Sequence, residues 1–119
     1  MENQIQSMTM SELKFGDIIL IKFPFTDLSG AKKRPALVLH DTNDNDIIIC
    51  RITSQAKESD FDIEITDQQR AGLKLSSIIR LHKIVTIEKT LVDKKMGTLC
   101  PADAKSVEGM IRAIVSKSF

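Results

Sequence analysis

The chain has 119 residues, a formal net charge of +1, 42% hydrophobic and 28% charged residues. That composition suits one globular domain with its own core, and it excludes a disordered polyelectrolyte. It also excludes a protein that holds nucleic acid by overall charge, so any such affinity has to come from a local basic patch.

In chain order, residues 1–12 are polar and methionine-rich and are expected to form a flexible arm, with a helical turn at Ser11-Glu12-Leu13. Residues 13–119 are expected to form the single domain. Gly16-Asp17 marks a turn, and Asp17 to Pro24 is a strand by its β-branched and aromatic content. Thr26-Asp27-Leu28-Ser29-Gly30 is a loop in which Gly30 suits a positive φ. Pro35 to His40 is a continuous apolar run of the buried-strand kind. The polar cluster Asp41 to Asp46 then turns the chain into a third strand, Ile47 to Thr53, which makes a hairpin. Phe61-Asp62-Ile63-Glu64-Ile65 alternates with the period of a half-buried strand. Asp67 to Ala71 is expected to make one helical turn before Gly72. Ser77 to Ile87 is a long strand, and Leu91 to Leu99 a further one interrupted at Gly97. Pro101 fits the first position of a helix, Asp103 complements its dipole, and Ala104, Val107, Met110, Ile111 and Ile114 fall on one face. The sum is mainly β with helices: a small, strongly bent sheet or barrel of roughly five to seven strands closed by a C-terminal helix.

The apolar runs, such as Ile18-Ile19-Leu20-Ile21, are about a quarter of the length that crosses a bilayer, and the start lacks a basic flank leading into a long apolar segment. No membrane span and no signal peptide are expected, and a cytoplasmic location is. The two cysteines, Cys50 and Cys100, lie far apart among apolar residues and are expected to be reduced core thiols. No metal-ligand spacing, phosphate-binding glycine loop, dinucleotide fingerprint or nucleophile elbow occurs, so neither metal nor cofactor is expected.

The chemistry-bearing candidates cluster at strand ends. Lys32-Lys33-Arg34-Pro35 leads into the second strand, and Pro35 holds Arg34 extended at its mouth. A lone basic cluster is most often a solvated face; a fixed guanidinium fork is also suited to gripping phosphate. A second polar cluster, Arg51-Ile52-Thr53-Ser54-Gln55, ends the third strand; at Thr53-Ser54-Gln55 the hydroxyls either close a turn or donate to phosphate. Ser77, Arg80, His82 and Lys83 form a third group; regular alternation puts Arg80 and His82 on one face. That face is either the polar side of an amphipathic strand or a cationic pair with a titratable imidazole. His40 reads as a satisfied strand-end histidine. Five phenylalanines and no Trp or Tyr leave little for base stacking.

Gly16-Asp17-Ile18-Ile19-Leu20-Ile21, Arg34-Pro35-Ala36-Leu37-Val38-Leu39, Ile52-Thr53-Ser54, Gly72-Leu73 with Ser76-Ser77, and Met96-Gly97-Thr98-Leu99 together resemble the PemK/MazF family of toxin endoribonucleases. The resemblance runs from about Phe15 to the terminal helix. It implies an SH3-like barrel, a homodimer, a cognate antitoxin, and metal-independent cleavage of single-stranded RNA, as in an mRNA interferase. It carries catalytic roles over to Arg34 and Thr53, and strand polar roles to Arg80 and the position of His82. The chain departs from the pattern at Leu28-Ser29-Gly30-Ala31, where many members have Gly-Ser-Glu, and at His82, where some have an acidic residue. In the implied reaction the RNA 2′-OH attacks phosphorus, leaving a 2′,3′-cyclic phosphate and a 5′-hydroxyl. Arg34 with Thr53 is assigned to the phosphorane charge, and His82 is the candidate acid or base. Lys32, Lys33, Ser54, Gln55, Ser77, Arg80 and Lys83 are the candidate RNA-binding residues. The alternative is a non-catalytic module that binds RNA, DNA or a protein tail through Arg34, Arg80 and Lys83.

Overall fold

The computed structural model describes residues 13–23 and 32–117. Its elements are β1 (Asp17–Phe23), β2 (Lys32–Asp41), β3 (Asp46–Thr53), β4 (Asp62–Glu64), β5 (Ile78–Glu88), a 3-10 turn (Lys89–Leu91), β6 (Val92–Thr98) and helix α1 (Pro101–Lys117). The expected arm at 1–12 and the loop with Gly30 lie outside the described residues.

The strands form one six-stranded sheet in the order β4-β5-β3-β2-β1-β6, and every pairing is antiparallel. The expected mainly-β fold with a C-terminal helix is present. Closure into a barrel is not: β4 and β6 stand at the two ends of the ladder without pairing to each other among the described residues. β5 and β6 are consecutive in sequence yet flank opposite sides of β3, β2 and β1. The 3-10 turn between them therefore carries the chain across the sheet.

This crossing explains why β1, β2 and β3 read as continuous apolar runs: both of their faces are covered. Ile18, Leu37, Cys50 and Ile52 point to one core with Ile79, Leu81, Leu99 and Val107. Ile19, Ile21, Ala36, Val38, Ile47 and Ile49 point to the other, where Ile87 and Val92 pack from either side of the crossing. Alternate residues of one strand thus enter different cores, as the pleat requires. Helix α1 closes the first core through Ala104, Val107, Met110, Ile111 and Ile114, the face its periodicity predicts.

The helix is tied down at its start. Asp103 is buried, and its carboxylate accepts Thr66 N–H and Thr66 Oγ1–H, each at 2.8 Å. This clamps the turn at Thr66–Gly72, whose helical bond Ala71 N–H to Asp67 O spans 3.2 Å. Gly72 ends that turn at φ +77°, and a Cβ there or at Gly97 would strike the backbone of Met96 or of Arg70 and Ala71. The two glycines let the turn lie flat on β6, with Thr98 N–H donating to Arg70 O at 3.1 Å. The segment after Gly72 is held in this way against the end of the sheet.

Candidate functional site

Antiparallel pairing brings the two polar strand ends together. Ala36 of β2 pairs with Arg51 of β3, the last step of that ladder. Pro35 has no N–H to extend it, and the same count carried two residues further sets Arg34 across from Thr53. Arg34, Arg51 and Thr53 also share strand parity, so they emerge on the same side of the sheet.

Between these ends lies a cleft of about 370 Å³. Lys33, Arg34, Arg51 and Thr53 line one side, and Leu73, Leu75 and Met96 line another. Ser54, Gln55 and Ser77 also reach it. Arg34 is half-buried, and no carboxylate pairs with it or with Arg51 among the described residues. Lys33 is partly neutralised by Asp93 at 3.3 Å. Thr53 Oγ1 accepts Gln55 N–H at 3.2 Å, which fixes the hydroxyl and leaves its proton to donate into the cleft. Ser77 is buried, and its hydroxyl donates to Leu75 O at 2.8 Å; it shapes the wall rather than offering a donor. Leu75 is 64% exposed at the rim. The arrangement offers a pair of unneutralised guanidiniums and a hydroxyl against an apolar wall.

The third sequence cluster lies elsewhere. Arg51, Gln55, Glu58, Ser59, Arg80, His82 and Lys83 line a neighbouring pocket of about 360 Å³, and Arg51 and Gln55 are common to both cavities. His82 is therefore next to the cleft that holds Arg34 and Thr53, not in it. Arg80 and His82 border this same pocket, but the strand that carries them is irregular. The β3–β5 register passes from Arg51 opposite Arg80 to Cys50 opposite Ile84, so Leu81, His82 and Lys83 bulge out of the ladder. Arg80 is buried while His82 and Lys83 are exposed. Arg80 Nη1 donates to Asp62 Oδ2 at 2.8 Å, and Nη2 stands 3.4 Å from Glu58 Oε1. Burial pushes the Asp62 carboxyl up, but N–H donation from Glu58 and Ser59, the Arg80 charge and the Ser59 hydroxyl outweigh it and hold the group below its ordinary value. Lys32 is exposed and lines neither cavity.

Arg51 opens the polar strand end Arg51-Ile52-Thr53-Ser54-Gln55 but is absent from the candidate RNA-binding residues, although it shares strand parity with Thr53 and lines both cavities. Lys74, Leu75 and Met96 also lacked a local signal, because they reach the cleft only through the glycine approach described above. Among the described residues no group of three or more His, Cys, Asp or Glu side chains could hold a metal ion. Both cysteines are free thiols, and burial pushes Cys50 up to about 12, which makes it unreactive.

The profile of the family described as PemK-like, MazF-like toxin of type II toxin-antitoxin system matches residues 14–115. The chain belongs to the PemK/MazF-like toxin family. Solved members share its fold. A chain of the MazE–MazF complex (Form-III) from Deinococcus radiodurans superposes with a TM-score of 0.70 at 17% identity, covering 87% of this chain and 96% of that one. An endoribonuclease in complex with its cognate antitoxin, from a mycobacterial species, gives 0.66 at 14% identity, covering 87% and 95%. The Mycobacterium tuberculosis toxin MazF-mt6 gives 0.63 at 17% identity, covering 80% and 91%. No curated protein matches the chain. No helix among the described residues is long and apolar enough to cross a membrane.

Proposed function

We propose that this PemK/MazF-like toxin is a cytoplasmic endoribonuclease that cleaves single-stranded RNA without a metal ion, and that a cognate antitoxin restrains it. The observation that carries the reading is the single cleft, at the end of the β2–β3 ladder, that both Arg34 and Thr53 line. A phosphodiester seated there meets the guanidinium from one strand and the hydroxyl from the other.

In the reaction the 2′-oxygen attacks phosphorus, its proton leaves, and the P–O5′ bond breaks. The products are a 2′,3′-cyclic phosphate and a 5′-hydroxyl, the leaving oxygen having taken up a proton. Charge accumulates on the non-bridging oxygens at the phosphorane. Arg34 supplies a fixed bidentate cation for it, Thr53 donates a hydrogen bond, and Arg51 adds a second cation. Arg34 stays protonated throughout the physiological range, so its part is electrostatic and not proton transfer. The apolar wall of Leu73, Leu75 and Met96 suits an unstacked base, and equally the apolar anchor of an acidic antitoxin tail, as expected where inhibitor and substrate compete for one cleft. A second copy of the chain completes the assembly in this reading, as a homodimer.

The described lining of the cleft contains neither imidazole nor carboxylate, and this favours one second reading: a module that binds RNA, DNA or a protein tail without cutting. Incubating purified protein with mixed-sequence RNA in EDTA separates the two. Discrete fragments ending in 2′,3′-cyclic phosphate, absent with Arg34→Ala, support the nuclease. Retention of intact RNA supports the module.

A further inference from the structure

We propose that the pocket beside the cleft, formed by Arg51, Gln55, His82 and Lys83, is the seat of the nucleotide next to the scissile phosphate, with the His82 ring as its stacking surface. This rests on the nuclease reading above and adds a substrate position to it.

The pocket is built, not incidental. Arg80 lines it and is held by Asp62, which also organises the segment leading into β4. Asp62 Oδ2 accepts the N–H groups of Glu58 at 2.8 Å and Ser59 at 3.2 Å. Phe61 N–H donates to Ser59 Oγ, and Leu81 N–H to Phe61 O, each at 3.2 Å. Phe61 is thereby fixed from both sides, and its ring backs His82 with centroids 5.5 Å apart and a tilt of 44°. The β5 bulge pushes His82 and Lys83 outward at this point. An exposed imidazole in contact with an aromatic ring and lining a cavity of about 360 Å³ is a platform for one base.

The charges fit a nucleotide. Glu58 and Asp62 are committed to Arg80. Arg51 and Lys83 pair with no carboxylate among the described residues, so the pocket keeps two free cations for the flanking phosphates. The Gln55 amide, both donor and acceptor, can read a base edge. Arg51 and Gln55 border both cavities, so a chain with its scissile phosphate at Arg34 and Thr53 continues directly into this pocket.

The test uses the full chain and an RNA oligonucleotide that it cleaves at one site, with each flanking base replaced in turn by an abasic position. In the wild type, one abasic substitution is expected to lower kcat/KM roughly tenfold or more, chiefly through KM. In His82→Ala that loss is expected to be present already, with no further penalty at that position. His82→Phe, which keeps a stacking ring and removes the titratable group, is expected to stay near wild type. Far-UV circular dichroism checks that both variants fold. An unchanged kcat/KM with the abasic penalty intact in His82→Ala overturns the proposal. So does a His82→Phe variant as impaired as His82→Ala with the loss in kcat, which would make His82 a proton-transfer group. Should the wild type cut no RNA, the same variants are read by quenching of 2-aminopurine placed along the intact strand. Quenching at one position that His82→Ala abolishes keeps the pocket while the nuclease reading falls; no binding by the wild type removes both.

Discussion

Arg80 Nη1 lies 2.8 Å from Asp62 Oδ2, and the two side chains are 7% and 0% exposed. A guanidinium so enclosed is an anchor rather than a free phosphate contact. It holds the segment from Ala56 to Phe61 against β5, with Nη2 also reaching Ala56 O at 3.5 Å, and through that segment it shapes the pocket beside the cleft. Removing Asp62 leaves the buried guanidinium with only the long contacts to the exposed Glu58 carboxylate at 3.4 Å and to Ala56 O. Asp62→Ala is therefore expected to lower stability by about 3–5 kcal/mol, measured by urea unfolding. The double variant Asp62→Ala, Arg80→Met is expected to be less damaged than the sum of its single changes.

The same pair sets a pH dependence. Asp62 titrates below its ordinary value in the folded protein. Its contribution is thus complete above the unfolded-chain value of about 3.9, and is lost as the pH falls through the lower folded-state value. The difference in urea midpoint between the parent and Asp62→Asn is expected to be constant near neutrality and to narrow on acidification in that range. A gap that widens with acid contradicts the assignment.

Much of this arrangement was legible in the sequence, and the rest is non-local. The helix at Pro101–Lys117 announced itself by Pro101 and the spacing of Val107, Met110, Ile111 and Ile114. The polar run Asp41 to Asp46 marked a hairpin, but plain counting from its Asp41–Ile47 pair puts Arg34 opposite Ser54; only the bulge between Val38 and His40 shifts the register by one and sets Arg34 across from Thr53. The bulge at Leu81–Lys83 shows only in the pairing, where β5 slips by three residues against β3 between Arg80 and Ile84. Asp62 likewise reads as the polar member of an alternating strand; its partner, eighteen residues on, is visible only once β4 and β5 are paired. The open order of the sheet depends on where the 3-10 turn crosses, which the strand patterns do not encode.

Gly72 ties the fold to the cleft. At φ +77°, with the Met96 backbone where a Cβ would stand, Gly72→Ala incurs both left-handed strain and a backbone clash. A loss of about 1–3 kcal/mol is expected from the strain alone. Because Lys74 and Leu75 follow directly and line the cleft, RNA cleavage is expected to fall even at temperatures where the variant remains folded.

Arg34 is half-buried and carries no ion pair in the described fold, so Arg34→Ala is expected to leave the urea midpoint nearly unchanged. Its cleavage rate is expected to drop by about 10²–10³, the scale of losing a preorganised charge-stabilising donor. Arg34→Lys keeps the charge without the fork and is expected to recover only part of the activity.

Whether Arg34 and Thr53 act on the same phosphate is decided by a double-mutant cycle on single-turnover RNA cleavage. Wild type, Arg34→Ala, Thr53→Val and the double variant are compared in EDTA on one oligonucleotide. The double variant is expected to lose clearly less than the product of the two single losses, because either change alone already disrupts the shared grip on the phosphorane. Losses that multiply in full, or a Thr53→Val variant with wild-type rate, would contradict it.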